Sequence, residues 1–534
     1  MSFGRTRSAV IVGVNAQLVE VEAHLASGLP GLSLVGLPDT AMAEARVRVR
    51  AAIVNSGLRW PDLRITVGLS PAWLPKRGPG LDVAIALAVL AADGQVPRED
   101  IERALVIGEL GLNGRIKPVA GSLAAALAFR AANRGHARTA VMMTGRLDAS
   151  QAELVPDVEV IAAPSLRALV ARLRGEQEPD EDMGTSDDDA FDTRPGRHGA
   201  LMASPIQPAP DLVDVKGQDL AKTALEVAAV GGHHIALFGR AGVGKTLLAQ
   251  RLRGLLPELD EAHALEVTSI HQLAGVNSGL GSAGEVARRP PWFAPHHTCT
   301  RAAMVGGGSA DKPTIGAVSL SHRGVLFLDE AAEFEPSVLD ALREPLESGE
   351  VCIARAGFRL SLPARFQLVI ASNPCPCGNA LDSHRGALCR CTPTQRRKYL
   401  GRLSGPLLDR FDIRLVLARP TLAELNGLSG TSETSDVVAA RVERGRVKAA
   451  ARLAGSPWSS IADVPAEQLR TQWPLPVNAA RLIDAVGVRQ SARGRDRTIR
   501  LAWSLADLSD HELPTTSDVD KAIELRSQEQ EWAA

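Results

Sequence analysis

The chain has 534 residues, room for about three domains that each bury a core. Its 60 basic side chains face 61 acidic ones, so no global positive field announces nucleic acid, and 3 % aromatics disfavour stacking of single-stranded bases on an aromatic platform. No apolar run is long enough to span a bilayer and no signal segment opens the chain, so a cytoplasmic protein without membrane partners is expected.

Residues 1–173 read as one α/β domain. Alternating apolar runs predict strands at 9–14 and 19–23, Asp39 is a candidate N-cap for a helix through 54, and the apolar stretch 82–92 predicts a buried helix. The run Gly28-Leu29-Pro30-Gly31-Leu32-Ser33-Leu34-Val35-Gly36-Leu37-Pro38-Asp39 resembles the amino-terminal domain of the magnesium-chelatase-like family that includes ComM and YifB, a Lon-protease-like, S5-like α/β domain. Residues 75–80 are similar to the Lon segment bearing the nucleophilic serine, and 108–123 to the segment bearing the catalytic lysine. Here those positions hold Gly80 and Leu123. A Ser–Lys mechanism needs an oxygen nucleophile and an amine to take its proton, so the resemblance implies a non-proteolytic scaffold. Ser122, beside Leu123, reads as a helix N-cap.

The next segment, 174–208, crowds nine carboxylates from Glu176 to Asp192 with almost no apolar residue, which predicts a disordered acidic linker. Residues 209–419 then carry the strongest signal in the chain. After an apolar strand at 235–238 comes Gly239-Arg240-Ala241-Gly242-Val243-Gly244-Lys245-Thr246, followed by helical spacing. Glycines let successive backbone N–H groups curl around phosphate oxygens, Lys245 adds charge at the outer phosphates, and the Thr246 hydroxyl suits Mg²⁺. About eighty residues on, a buried strand ends in Asp329-Glu330: Asp329 suits Mg²⁺, and Glu330 suits activation of the attacking water of ATP hydrolysis. The strand 366–372 ends at Asn373, in the sensor position of AAA+ proteins.

Further motifs carry the same family resemblance: 293–298 with Gly306-Gly307-Gly308, 319–324 and 342–347. His296 and His297 are expected in an insertion loop facing a ring's pore. The segment 404–412 resembles the one supplying an arginine finger, which implies that Arg410 reaches the nucleotide of a neighbouring subunit, or else pairs with Asp409 or Asp412. A hairpin over 350–368 would place Arg355 and Arg359 near its tip, where they either grip DNA phosphates or stand as ordinary strand arginines. Cys375, Cys377, Cys389 and Cys391 form two close pairs that either bind Zn²⁺ tetrahedrally, stapling a loop, or stand as free or redox-active thiols.

Residues 420–534 read as a helical lid, with helices over 436–453 and from 491 through 508. Arg493 matches the second sensor of AAA+ proteins, with Arg500 as its alternative. Arg489, Arg495 and Arg497 form either a DNA-facing patch or a solvated face.

The fold class that results is α/β: an AAA+ P-loop core with a helical lid, preceded by the Lon-like domain. The resemblance implies a hexameric ATP-driven motor on single-stranded or branched DNA, promoting branch migration during uptake of transforming DNA. A magnesium-chelatase ATPase subunit, inserting Mg²⁺ into a porphyrin, and a protein-remodelling regulator are the alternatives.

Overall fold

The structure is a computed structural model that describes residues 2–36, 40–76, 78–135, 139–178, 209–276, 285–308, 313–355, 358–380, 389–425, 433–486 and 492–527. The segment 179–208, most of the expected acidic linker, lies outside the described residues, as does Asp39, the candidate cap of helix Thr40–Asn55.

The first domain is built on a seven-stranded sheet in the order Gly31–Val35, Arg64–Ser70, Asn15–Ala26, Phe3–Val12, Leu105–Val106, Ala140–Gly145, Val158–Ala163. Helix Asp82–Ala92 is buried along its whole length, as its unbroken apolar sequence demands. Its one charged side chain, Asp82, is met by Arg48 Nε at 2.7 Å. Burial still raises the Asp82 pKa, against the pull of Arg48. Segments 75–80 and 108–123 lie side by side. A Cβ on Gly80 would come 3.8 Å from Val119 Cγ1, and Leu123 is fully buried. Ser122 is not the expected cap: Gly121 occupies that position in a left-handed conformation, and the Ser122 hydroxyl donates to Gln151 Oε1 at 2.8 Å.

The second domain carries a five-stranded parallel sheet in the order Trp292–Phe293, Val325–Leu328, Gln367–Ser372, Ile235–Gly239, Ile413–Leu417. A parallel sheet is buried on both faces, which is why its central strands read as unbroken apolar runs rather than alternating ones. All carboxyl ends emerge together, so the loops after them meet at one edge, where ligands bind in open α/β sheets. The C-terminal helices Ser435–Leu453, Ala492–Leu508 and Thr516–Ser527 pack on helix Asp219–Gly231 and the last strand, sharing one apolar core with the sheet.

The two domains are docked through their cores. Gly13, at the turn between Phe3–Val12 and Asn15–Ala26, takes a left-handed φ of 70°, and a Cβ there would stand 2.1 Å from Leu360 Cδ1. Only glycine permits that approach. Next to it Val14 enters a core of the second domain, while Leu265 of helix Glu261–Leu273 enters the core of the first domain.

Candidate nucleotide site

The phosphate loop begins where strand Ile235–Gly239 runs out of sheet. Gly239, Gly242 and Gly244 have φ of 156°, 79° and 98°, values that side-chain-bearing residues rarely adopt, so the curl of backbone N–H groups depends on glycine here. Helix Lys245–Leu255 starts at once and aims its amino terminus back at the loop. Lys245 is buried, and its Nζ donates to Gly239 O and Arg240 O at 2.8 Å and to Asn373 Oδ1 at 3.0 Å. Burial lowers its pKa, while Asp329 and Glu330 pull it the other way.

The other expected residues gather at the same edge. The Thr246 hydroxyl donates to Asp329 Oδ2 at 2.8 Å, and Asp329 Oδ1 accepts the Glu330 N–H at 3.0 Å. Glu330 sits at φ 52°, left-handed for a residue with a Cβ, a strain on the order of 1 kcal/mol. That twist turns its carboxylate out of the sheet, about half exposed, within 3.7 Å of His297 Nδ1. His297, expected in a loop facing a ring's pore, follows strand Trp292–Phe293, the third strand over from the one that carries the phosphate loop, and lies beside Glu330. The signal was there, a histidine just past the carboxyl end of a short strand, but it could be read only once Trp292–Phe293 was seen paired with Val325–Leu328.

Arg410 and Arg493 lie elsewhere. Arg410 precedes strand Ile413–Leu417, whereas the phosphate loop follows its parallel neighbour, so the two ends are separated by roughly 16 Å, the length of a five-residue strand. Arg410 pairs with Glu347, not with the flanking Asp409 or Asp412. Arg493 Nη1 is 3.8 Å from Asp409 Oδ2, so it lies with Arg410 and not at the phosphate loop of its own chain. Arg500, the alternative sensor, donates to Val464 O at 2.7 Å and, like Arg410, lines a cavity of ≈ 790 Å³ at this far end of the sheet.

Of the suggested basic patch, Arg497 is buried and bound to Asp412 Oδ1 at 2.9 Å, Arg495 pairs with Asp484 at 2.7 Å, and Arg489 lies outside the described residues. The hairpin forms from Glu350–Arg355 and Phe358–Pro363, with Arg355 opposite Phe358 and Arg359 opposite Ala354. The side chains of Arg355 and Arg359 are outside the described residues.

Comparison with known proteins fits this geometry. A family model described as magnesium chelatase, subunit ChlI, matches residues 211–425; its C-terminal counterpart matches 432–526, and a third, subunit ChlI of Mg-chelatase, matches 21–143. An uncharacterized protein of Mycobacterium tuberculosis is 44 % identical over 532 residues, spanning 98 % of this chain and 99 % of its own length. YifB of Escherichia coli is 37 % identical over 529 residues, 99 % of this chain and 97 % of its own length. Competence protein ComM of Haemophilus influenzae is 40 % identical over 442 residues, 83 % of this chain and 82 % of its own length. The chain belongs to the ComM/YifB family.

For this magnesium-chelatase-like family ATP and Mg²⁺ are the implied ligands, and the ComM/YifB-type site built here fits both. Thr246 and Asp329 present a hydroxyl and a carboxylate at hydrogen-bond distance, the hard oxygen donors that Mg²⁺ takes. Just past Asn373, the four cysteines of this family member also converge: Cys375, Cys377, Cys389 and Cys391 bring their sulfurs within 4.8 Å of one another. Among the described residues no helix is long and apolar enough to cross a membrane.

Proposed function

We propose that this chain is an AAA+ ATP hydrolase that works as a hexameric ring on single-stranded or branched DNA, driving branch migration of recombination intermediates. The observation that carries the ATPase reading is the convergence of Lys245, Asn373, Thr246 and Asp329 on one glycine loop, with Glu330 beside them. The DNA reading rests on the likeness to competence protein ComM.

In this reading the loop from Gly239 through Gly244 cradles the phosphates, and Lys245 turns its ammonium from the carbonyls of Gly239 and Arg240 toward the outer phosphate. Thr246 and Asp329 would hold Mg²⁺, which would supply positive charge against the phosphates. Glu330 takes the proton of the attacking water, and Asn373, already bonded to Lys245, orients that water against the γ-phosphate. Arg410 and Arg493 sit too far from the loop of their own chain to help there, so both act on the neighbouring subunit's nucleotide, coupling hydrolysis around the ring. The first domain is a Lon-like scaffold without its dyad.

The test is ATP turnover by the purified chain with and without single-stranded and four-way-junction DNA, with Glu330→Gln as control. Stimulation and junction movement, both lost in the variant, support the reading. Turnover indifferent to every DNA sinks the DNA motor and moves the work to porphyrin chelation and protein remodelling.

A further inference from the structure

The two cysteine pairs come from separate pieces of chain. The first follows strand Gln367–Ser372, where Cys375 O accepts the Gly378 N–H at 2.9 Å to close a tight turn. The second precedes helix Pro393–Leu400, which opens on a capping box between Thr392 and Gln395, so Cys391 is held next to a fixed helix start. The sulfur of Cys375 is 3.3 Å from that of Cys377 and 3.7 Å from that of Cys389, and Cys377 and Cys389 are 3.6 Å apart. These separations are far longer than the ~2.05 Å of a disulfide. They are close to the edge of a tetrathiolate zinc site, since four sulfurs about 2.3 Å from one ion stand about 3.8 Å from each other.

The first turn also leans on the phosphate loop. Arg240 Nη2 donates to Asn379 Oδ1 at 2.8 Å, and a Cβ on Gly378 would come 3.5 Å from Ala241 Cβ. On the other side, the helix after the second pair buries Tyr399 and delivers Arg402, whose Nη1 donates to Ala332 O at 2.9 Å, two residues past Glu330. The knuckle therefore bridges the phosphate loop and the segment after the Asp329-Glu330 pair.

We propose that Cys375, Cys377, Cys389 and Cys391 together hold one Zn²⁺ and that this knuckle is a strut of the nucleotide site, setting the phosphate loop through Asn379 and Arg240. Zinc binds the four thiolates as the thiols give up their protons, and all four positions are filled by protein, so the ion has structural work and no open position for catalysis. Without it the two pairs have no covalent tie, and the turn that presses on Ala241 loses its anchor. The metal site stands independently of the ATPase reading; the strut rests on it.

The test uses the full chain purified in reducing buffer without chelator. Elemental analysis is expected to give about one zinc per chain, and cobalt exchanged for it to give the ligand-field bands of a tetrahedral tetrathiolate site. Cys377→Ser with Cys389→Ser should lose the metal. A zinc content near zero, or iron with acid-labile sulfide in its place, overturns the site. The wild-type measurement decides this even where the cysteine variant does not fold. For the strut, Asn379→Ala should keep its zinc and weaken binding of a fluorescent ATP analogue about three- to tenfold. Unchanged affinity in that variant overturns the strut and leaves the zinc. A zinc-loaded wild type that binds no ATP analogue overturns the nucleotide reading and the strut together, and again leaves the zinc.

Discussion

Asp412 is the carboxylate on which the core and the lid are pinned together. It is buried; His233 Nδ1 and Arg497 Nη1 each meet it at 2.9 Å, and Arg526 Nη1 donates to its backbone carbonyl at 2.7 Å. His233 in turn meets the Ser504 hydroxyl at 2.8 Å, so helix Ala492–Leu508 is tied in twice. Asp412→Asn keeps the shape and removes the charge, leaving the Arg497 guanidinium buried without its counter-ion. Breaking a buried pair in this way costs about 3–5 kcal/mol. At about 2–4 °C per kcal/mol for a unit of this size, thermal unfolding should fall by roughly 6–20 °C.

The pH dependence gives a second handle on the same group. Burial pushes the Asp412 pKa up, but the hydrogen bond from His233 and the charge of Arg497 outweigh it and hold the carboxyl below the usual range. Its stabilisation is therefore present above the unfolded value of about 3.9 and is lost as pH falls through it toward the folded one. The gap between wild type and Asp412→Asn should narrow below about pH 4. Calorimetry and urea unfolding measure it, with Arg497→Met and the double variant closing a cycle. The double variant should lose less than the sum of the singles by about 1–3 kcal/mol. A cost under about 1 kcal/mol, or strict additivity, refutes the argument.

His297→Ala should lower ATP turnover about tenfold at unchanged nucleotide affinity, because Glu330 loses the neighbour that sets its position; a change in affinity alone would assign His297 to binding. Arg493→Ala and Lys245→Ala should each be inactive alone yet regain turnover when their subunits are mixed, since one supplies the lysine and the other the arginine; no recovery means Arg493 serves its own chain. In the first domain, burial raises the Asp148 pKa to about 7, against a hydrogen bond from the Val119 N–H. The folded state then keeps a proton that the unfolded state releases near pH 4, so stability falls as pH rises from 4 to 7. Asp148→Asn should match wild type near pH 4 and exceed it at pH 8, by about 4 kcal/mol at most. Equal melting temperatures at pH 8 would show that the carboxyl is not held neutral.

The sequence by itself determined the local chemistry. Gly239 to Thr246 can be read without a structure because the turn, the helix start and the lysine are contiguous, and glycine spacing is a backbone requirement. Strand Val325–Leu328 with Asp329-Glu330, the wholly buried helix Asp82–Ala92 and the two cysteine pairs were legible for the same reason. What the tertiary structure alone decided is which separate pieces share a space. Parallel pairing put His297 at Glu330, strand polarity put Arg410 and Arg493 at the opposite end from their own phosphate loop, and lid packing turned Arg497 from a surface charge into a buried counter-ion of Asp412. The docking of Gly13 and Val14 into the ATPase side was equally invisible, because a turn glycine looks the same whether it faces water or Leu360. Periodicity reports which face of an element is buried, and only the assembled fold supplies the partner that buries it.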